Sequence, residues 1–564
     1  MPFERTFRDD ISIVLAGEAG QGVQTIEQIL TRLFKQAGLN VFGTKEYMSR
    51  VRGGTNSTEI RVASFPIAAF VNRVDIFVPL DAKAMDHLKP RLTDKTLIVG
   101  DQENLKTEKE ILNAPFSKMA AGIGGELFSN MIAAGFLAGI LHIELAIVYE
   151  VIQYFFGKKS ADIIEKNCTA AKQGFEFGRE ACAKHRIHCE LKRDPEVVRQ
   201  IMISGHEAVA LGAAAGGCNF IASYPMSPST GVLTFLAQHG AELGILVEQA
   251  EDEIAAMNMG LGSWYAGGRA MVTTSGGGFA LMGEGLSLAG AIESPMVIHL
   301  AQRPGPATGL PTRTEQGDLE LALYAGHGEF PRVLLAPGTV QDAFLCASRA
   351  FYLADKYQIP VFILMDQYVL DSFYNAEEFP SVSGEITYCV VQTGSDYKRY
   401  RFTENGISPR GIPGFGEGIV CIDSDEHDEG GYITEDSDVR TAMVNKRLKK
   451  QNLLPEDAMA PEFFGKEGYK KLVLGWGSTF HAIREALRRK GEGDTAFLYF
   501  KQVYPLSGKV AEYMRQAKEV VCAENNATGQ FAKLIRRETG LSVDRKVLKY
   551  DGLPFSVEDL VAKL

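Results

Sequence analysis

Three stretches of this chain combine residue types that could do chemistry, and each follows a short apolar run. The first is Val247-Glu-Gln-Ala-Glu-Asp-Glu-Ile-Ala-Ala-Met-Asn-Met-Gly-Leu-Gly262, where Glu251, Asp252 and Glu253 open a helical pattern marked by Ile254, Met257 and Leu261. Acids in a first helical turn are favoured by the helix dipole, which accounts for all of them without chemistry. A carboxyl just beyond a parallel strand also lies in the crevice where such sheets bind ligands, so a proton-handling role is equally open. The second stretch is Pro225-Met-Ser-Pro-Ser-Thr230, in which two prolines restrain the backbone around the Ser227 hydroxyl. In isolation it is an ordered strand-to-helix turn with a cap available at Ser229 or Thr230. The third is Gln302-Arg-Pro-Gly-Pro-Ala-Thr-Gly-Leu-Pro-Thr-Arg-Thr-Glu-Gln-Gly-Asp318, a rigid polar loop. Its Arg313 could grip a carboxylate with two parallel hydrogen bonds, or serve in a surface salt bridge. Glycine-rich turns at 275–278 and 283–285 would let backbone approach a bound molecule closely.

Two further features are weaker. Gly17-Glu-Ala-Gly-Gln-Gly22 has the order G-x-x-G-x-G, not the G-x-G-x-x-G of a dinucleotide site, and no Gly-Lys-Ser/Thr follows it. Amides at the start of the next helix could still bind a phosphate or acyl-carrier anion, and a plain structural turn is as good a reading. Cys182, His185, His188 and Cys189 lie within eight residues, but tetrahedral closure of a metal from so short a run is awkward, and a basic helix-like segment is preferred. No CxxC occurs among the eight cysteines, so the chain has the usual ligand spacing of neither an iron–sulfur cluster nor a zinc knuckle. No metal is assigned to this chain, and scattered thiols suit a reducing cytoplasm.

These residues need a scaffold, and the apolar pattern predicts an α/β one. Strands are expected at 11–16, 76–80 and 96–100, with a helix through Leu33 and a charged helical connector over 183–198. A second alternating region gives strands at 220–224, 245–247, 270–274, 296–300 and 361–365, as in a parallel sheet. The polar, turn-rich 375–462 region reads as an insertion covering a surface, and the α/β rhythm restarts at 471–478 with strands at 496–500 and 520–523. The expected domains are therefore 1–190, 191–380, an insertion or linker over 381–465, and 466–564. A net charge of −11 argues against a nucleic-acid surface. The first residues lack the apolar core of a secretory signal. The apolar run 131–148 is broken by His142 and Glu144, which predicts a buried or interface helix and no membrane span.

Together these stretches resemble the 2-oxoacid:ferredoxin oxidoreductases, as an α subunit fused behind a γ domain. Residues 11–23 and Lys45-Glu-Tyr-Met-Ser-Arg-Val-Arg-Gly-Gly54 look like the γ domain; Tyr224-Pro-Met-Ser-Pro228 is similar to the family's Tyr-Pro-Ile-Thr-Pro signature. Residues 251–262, 305–318 and Glu426-His-Asp-Glu-Gly430 look like further α-subunit signatures. Residues 475–478 with Glu524-Asn-Asn-Ala-Thr-Gly-Gln530 are similar to a transketolase-C-like domain. The resemblance implies a multi-domain α/β fold with an N-terminal γ-type domain, a thiamine-diphosphate-binding pyrimidine-type domain and a transketolase-C-like domain. It implies that Glu253 hydrogen-bonds ring nitrogen N1′ of thiamine diphosphate, with Glu251 as the alternative, and that Pro225 lies in the cofactor loop. Ser227 stands where the family usually has threonine against the 2-oxoacid, and Arg313 matches the substrate-carboxylate arginine. The γ domain is implicated in coenzyme A use, with Gly20, Gly22, Arg50 and Arg52 as phosphate contacts. No Gly-Asp-Gly followed by asparagine at the diphosphate-binding spacing is present, nor are cluster cysteines. Mg2+ and the iron–sulfur cluster are thus expected on a β subunit, in an (αβ)2 assembly that reduces ferredoxin. The 224–230 and 426–430 stretches look most like the 2-oxoglutarate branch, with pyruvate or a branched-chain oxoacid as alternatives. A reading from another class is a non-catalytic module that binds coenzyme A or a nucleotide.

Overall fold

The computed structural model describes residues 4–18, 23–49, 54–380, 386–491 and 493–564. The chain forms two compact units, one of Met1–Ile203, Asp371–Glu378 and Ser556–Glu558, the other of Ser204–Leu370, Phe379–Phe555 and Asp559–Leu564.

The first unit is built on a mixed sheet. Asp10–Glu18 lies at its centre, parallel to Ile76–Pro79, which is followed outward by Leu97–Gly100 and Leu112–Asn113. On its other side it pairs antiparallel with Thr55–Ala63, then come Asn40–Glu46, Phe373–Ala376 and Ile201–Ser204. The hairpin Asn40–Glu46/Thr55–Ala63 escaped the sequence reading because it buries polar and charged side chains among its apolar ones. Ser57 and Thr58 are buried, and Arg61 is only 3% exposed. Its guanidinium is accommodated by a fork on Asp10, Nε to Oδ1 at 2.8 Å and Nη2 to Oδ2 at 2.6 Å.

This unit continues past 190, since the Asp194 amide donates to the Gly38 carbonyl at 2.7 Å. The expected connector helix over 183–198 is not one element. The helix Ala161–His185 stops at Arg186, whose φ is 53°, and Ile187–Glu190 is a strand parallel to Arg5–Arg8. Its alternation of buried Ile187 with exposed His188 has the period of a strand, and the basic composition hid it. Cys182 and His185 thus lie on a helix, and His188 and Cys189 on a strand; among the described residues no group of three metal-ligating side chains assembles.

The apolar 131–148 run divides into the helices Ser129–Ile140 and Leu145–Phe156. Residues 131–140 are buried throughout, against Ala161–His185. The two backbones touch there: a Cβ on Gly135 would overlap the Ala171 carbonyl, and one on Gly174 the Ile132 carbonyl. Among the described residues no helix is long and apolar enough to cross a membrane.

The second unit holds two sheets. The larger runs Leu246–Gln249, Phe220–Ser223, Ala270–Ser275, Met296–Gln302, Pro360–Asp366, Val333–Leu335, and is parallel up to the antiparallel edge strand Gln502–Tyr504. The smaller runs Glu462–Phe464, Thr495–Phe500, Lys471–Trp476, Glu519–Glu524, Arg545–Leu548. Between them in sequence, the described residues 386–461 are irregular apart from the helix Ser437–Leu453, and they are fastened by buried ions. Glu293 is bridged at 2.5 Å by both Lys446 and Lys450, all three essentially buried. Glu426 from the 426–430 stretch pairs with Arg440 and Arg447. That stretch is a fastening for the insertion: His427 is buried with its ring 4.0 Å from that of Tyr400.

Candidate functional site

In the larger sheet of the second unit the chain runs from Phe220–Ser223 first to one side and later to the other, which opens a crevice at the carboxyl ends of the strands. The segments that leave four adjacent strands there carry the residues singled out above: the loops 224–229, 250–252 and 303–318, and the glycine-rich start of the helix Gly276–Leu281.

The three acids take three different environments. Asp252 is the helix cap, its Oδ1 accepting from the Ala255 amide at 2.8 Å, so the structural reading holds for this residue. Glu251 is exposed. Glu253 is the first residue of the helix Glu253–Tyr265 and is 3% exposed. Its Oε1 is buried and has no hydrogen-bond partner. The carboxyl occupies space that a side chain at 278 would fill, for a Cβ on Gly278 would overlap both Glu253 Oε1 and Thr274 Oγ1. A buried carboxyl oxygen without a partner is costly, and it is tolerated where a ligand completes it.

A second carboxyl sits two residues away on the same glycine-rich helix start. A Cβ on Gly276 would overlap Asp318 Oδ1, and Asp318 Oδ2 is also buried without a partner, as is Ser275 Oγ. Asp318 precedes the helix Leu319–Tyr324 but makes no side-chain cap bond to it. Burial, helped by Glu315 and opposed by Arg303, pushes its carboxyl up to about 7. The folded chain therefore keeps a proton on Asp318 that the unfolded chain has already released above the ordinary Asp range. The cost grows as pH rises through that interval and is complete above about 7. Asp318→Asn raises the melting temperature of the isolated chain at pH 8, and the gain shrinks as pH is lowered toward 4, as read by thermal unfolding; a gain independent of pH contradicts this assignment.

Pro225 and Ser227 are half-buried in the loop after Phe220–Ser223. Ser229 does not cap the next helix; its hydroxyl turns back to the Met226 carbonyl at 2.7 Å. The arginine beside Ser227 is Arg303, whose Nη1 donates to the Ser227 carbonyl at 2.6 Å. Arg303 is the residue that spacing did not single out, although it stands in the same loop. Arg313 is half-buried farther along, with Nη1 donating to the Thr312 carbonyl at 3.3 Å, and its stem lies against Gly552. Gly20, Gly22, Arg50 and Arg52 lie outside the described residues. The described part of the first unit does present a cleft of about 980 Å³ beyond the strands Ile76–Pro79 and Leu97–Gly100, lined among others by Ile29, Asp81, Asp101, Leu127 and Phe128.

Residues 211–446 match the family model "Pyruvate flavodoxin/ferredoxin oxidoreductase, thiamine diP-bdg", and residues 12–177 match "Pyruvate ferredoxin/flavodoxin oxidoreductase". The 2-oxoacid:ferredoxin oxidoreductase 1 subunit alpha of Aeropyrum pernix is 30% identical, covering 98% of this chain and 97% of its own. The 2-oxoglutarate synthase subunit KorA of Archaeoglobus fulgidus is 33% identical over 60% of this chain and 90% of its own. Among solved structures, the 2-oxoglutarate:ferredoxin oxidoreductase of Magnetococcus marinus, with 2-oxoglutarate, coenzyme A and succinyl-CoA bound, is 31% identical with a TM-score of 0.91, covering 99% of both chains. The chain belongs to the 2-oxoacid:ferredoxin oxidoreductase family, as an α subunit.

Proposed function

We propose that this chain is the cofactor-activating and oxoacid-holding subunit of an enzyme that oxidatively decarboxylates 2-oxoglutarate, transfers the acyl group to coenzyme A and reduces ferredoxin. One observation carries the reading: the buried, partnerless Oε1 of Glu253 beneath Gly278, at the carboxyl ends of a parallel sheet. It fits a ring nitrogen of thiamine diphosphate, and the glycine leaves room for the Glu253 carboxyl itself. When bound, thiamine diphosphate supplies the carbon nucleophile that attacks the oxoacid carbonyl. Glu253 holds a proton at the ring nitrogen, and Pro225 stiffens the loop beside it. The Ser227 hydroxyl orients the oxoacid. An arginine of the 303–318 loop holds its carboxylate: sequence resemblance points to Arg313, and proximity to Ser227 favours Arg303.

Mg2+, the diphosphate grip and the iron–sulfur cluster belong to a β subunit in this reading. Apolar side chains next to the site residues suit such a partner: Tyr224 is 40% exposed, Ile254 50%, Leu281 53% and Leu310 49%. For coenzyme A, the cleft of the first unit suits the uncharged pantetheine arm, because among the described residues its charged lining is Asp81 and Asp101. That leaves the phosphates to Arg50 and Arg52. The substrate choice of 2-oxoglutarate draws on the Magnetococcus and Archaeoglobus relatives.

The test is reconstitution with the β chain that carries the diphosphate motif, assaying ferredoxin reduction with each oxoacid and coenzyme A. Preference for pyruvate or a branched-chain oxoacid overturns the substrate. Failure of the complex to bind thiamine diphosphate overturns the enzyme reading in favour of a binding module. In the same assay Ser227→Ala raises the oxoacid KM by ~10-fold, the loss of one hydrogen bond to a charged group. Of Arg303→Met and Arg313→Met, the one that removes the carboxylate partner raises it by ~10-fold or more; unchanged KM in both contradicts the role of this loop.

A further inference from the structure

The loop from Arg303 to Asp318 contains no helix or strand, so its peptide groups need partners outside regular structure. The Leu310 and Arg313 amides find them within the loop, whereas Gln316 and Gly317 find them in the two stretches that mark the smaller sheet. Gln316 is completely buried and spends every polar group there. Its amide N donates to the Asn525 carbonyl at 2.7 Å, and its Oε1 accepts from the Asn525 amide at 2.9 Å. Its Nε2 donates to the Trp476 carbonyl at 2.8 Å, and its own carbonyl accepts from Asn526 Nδ2 at 3.2 Å. Gln530 Nε2 donates to the Gly317 carbonyl at 2.8 Å, while its Oε1 accepts from the Glu320 amide at 2.9 Å. The receiving turn is itself held from behind. Glu524, also fully buried, accepts from Asn526 Nδ2 at 2.9 Å and from the amides of Phe531 at 2.8 Å and Ala532 at 3.0 Å.

We propose that Gln316, Asn525, Asn526 and Gln530 are positioning residues: the 524–530 turn is a mould that sets where the arginine-bearing loop stands against the oxoacid. This rests on the reading that an arginine of that loop holds the substrate carboxylate. The bonds are directional and engage the Gln316 amide and carbonyl and the Gly317 carbonyl, which a merely space-filling contact does not require. They act within two residues of Asp318, whose carboxyl lies against the same helix start as Glu253. A displacement of about 1 Å in such a loop is enough to lower turnover by ~10²-fold.

The test uses the reconstituted enzyme with Gln316→Met, which keeps the volume and removes the side-chain amide, and with the milder Gln530→Ala. Each is expected to raise the oxoacid KM by ~10-fold while leaving the coenzyme A KM within about twofold, since the loop sets only the oxoacid partner. Should Gln316→Met fail to fold, Gln530→Ala decides alone. An unchanged oxoacid KM with a lowered melting temperature makes these amides packing only and overturns the inference. Equal rises in both KM values overturn it as well, because they mean general distortion. Failure of the underlying reading looks different: Arg303→Met and Arg313→Met then both leave the oxoacid KM at the wild-type value.

Discussion

Glu253→Gln lowers oxoacid-dependent ferredoxin reduction by ~10²-fold or more in the reconstituted enzyme, while Glu251→Gln stays within about twofold of wild type. The contrast follows from burial. Both residues are acids near one helix start, but Glu251 is exposed and Glu253 is 3% exposed with a partnerless oxygen. Glutamine keeps the size of Glu253 and can still touch a ring nitrogen, but it cannot hold an ionisable proton there. The same substitution leaves the melting temperature of the isolated chain unchanged or higher, because Oε1 makes no hydrogen bond that glutamine would break. Activity lost with stability kept is the signature of a residue retained for a ligand. Steady-state rates and a melting curve on one preparation settle it, and a variant with near-normal turnover removes Glu253 from the mechanism.

Asp355→Ala destabilises the chain by about 3–5 kcal/mol, the usual result of removing one partner from a buried ion cluster. Asp355 is fully buried and serves two arginines. Its Oδ1 accepts from Arg410 Nη2 at 2.5 Å, and its Oδ2 accepts from Arg269 Nη1. Arg269 is 2% exposed and Arg410 5%, so neither can turn to water without opening the structure. Arg410 belongs to the 379–461 insertion and also donates to the Trp264 carbonyl at 3.2 Å, so loss of the carboxylate frees the insertion from the strand and helices it covers. Denaturant unfolding measures the loss, and limited proteolysis is expected to cut first within 379–461. A loss below about 1 kcal/mol would show that the guanidinium groups recover hydration, contrary to the burial argument.

Much of the second unit could be read directly because its strands are continuous apolar runs between glycine-rich turns. Phe220–Ser223, Ala270–Ser275, Met296–Gln302 and Pro360–Asp366 all fall on expected segments, since a parallel strand covered on both faces has little choice of composition. The first unit was less legible where charge is buried. Arg61 with Asp10, and Ser57 and Thr58 beside them, make a central strand look like a surface. Ile187–Glu190 was masked in the same way by its basic neighbours.

For the site, residue types and spacing by themselves determined which loops matter, because glycines, prolines and acids at strand ends are local requirements of backbone geometry and charge. They could not rank Glu251, Asp252 and Glu253, or Arg303 against Arg313, because neighbours in sequence point in different directions once a helix or loop is formed. The tertiary structure decided that Asp252 caps, that Glu251 faces solvent and that Glu253 is sealed beneath Gly278. It also decided that Arg303 reaches Ser227, 76 positions earlier in the chain. Burial and long-range hydrogen bonding are properties of the packed chain, and no local pattern encodes them.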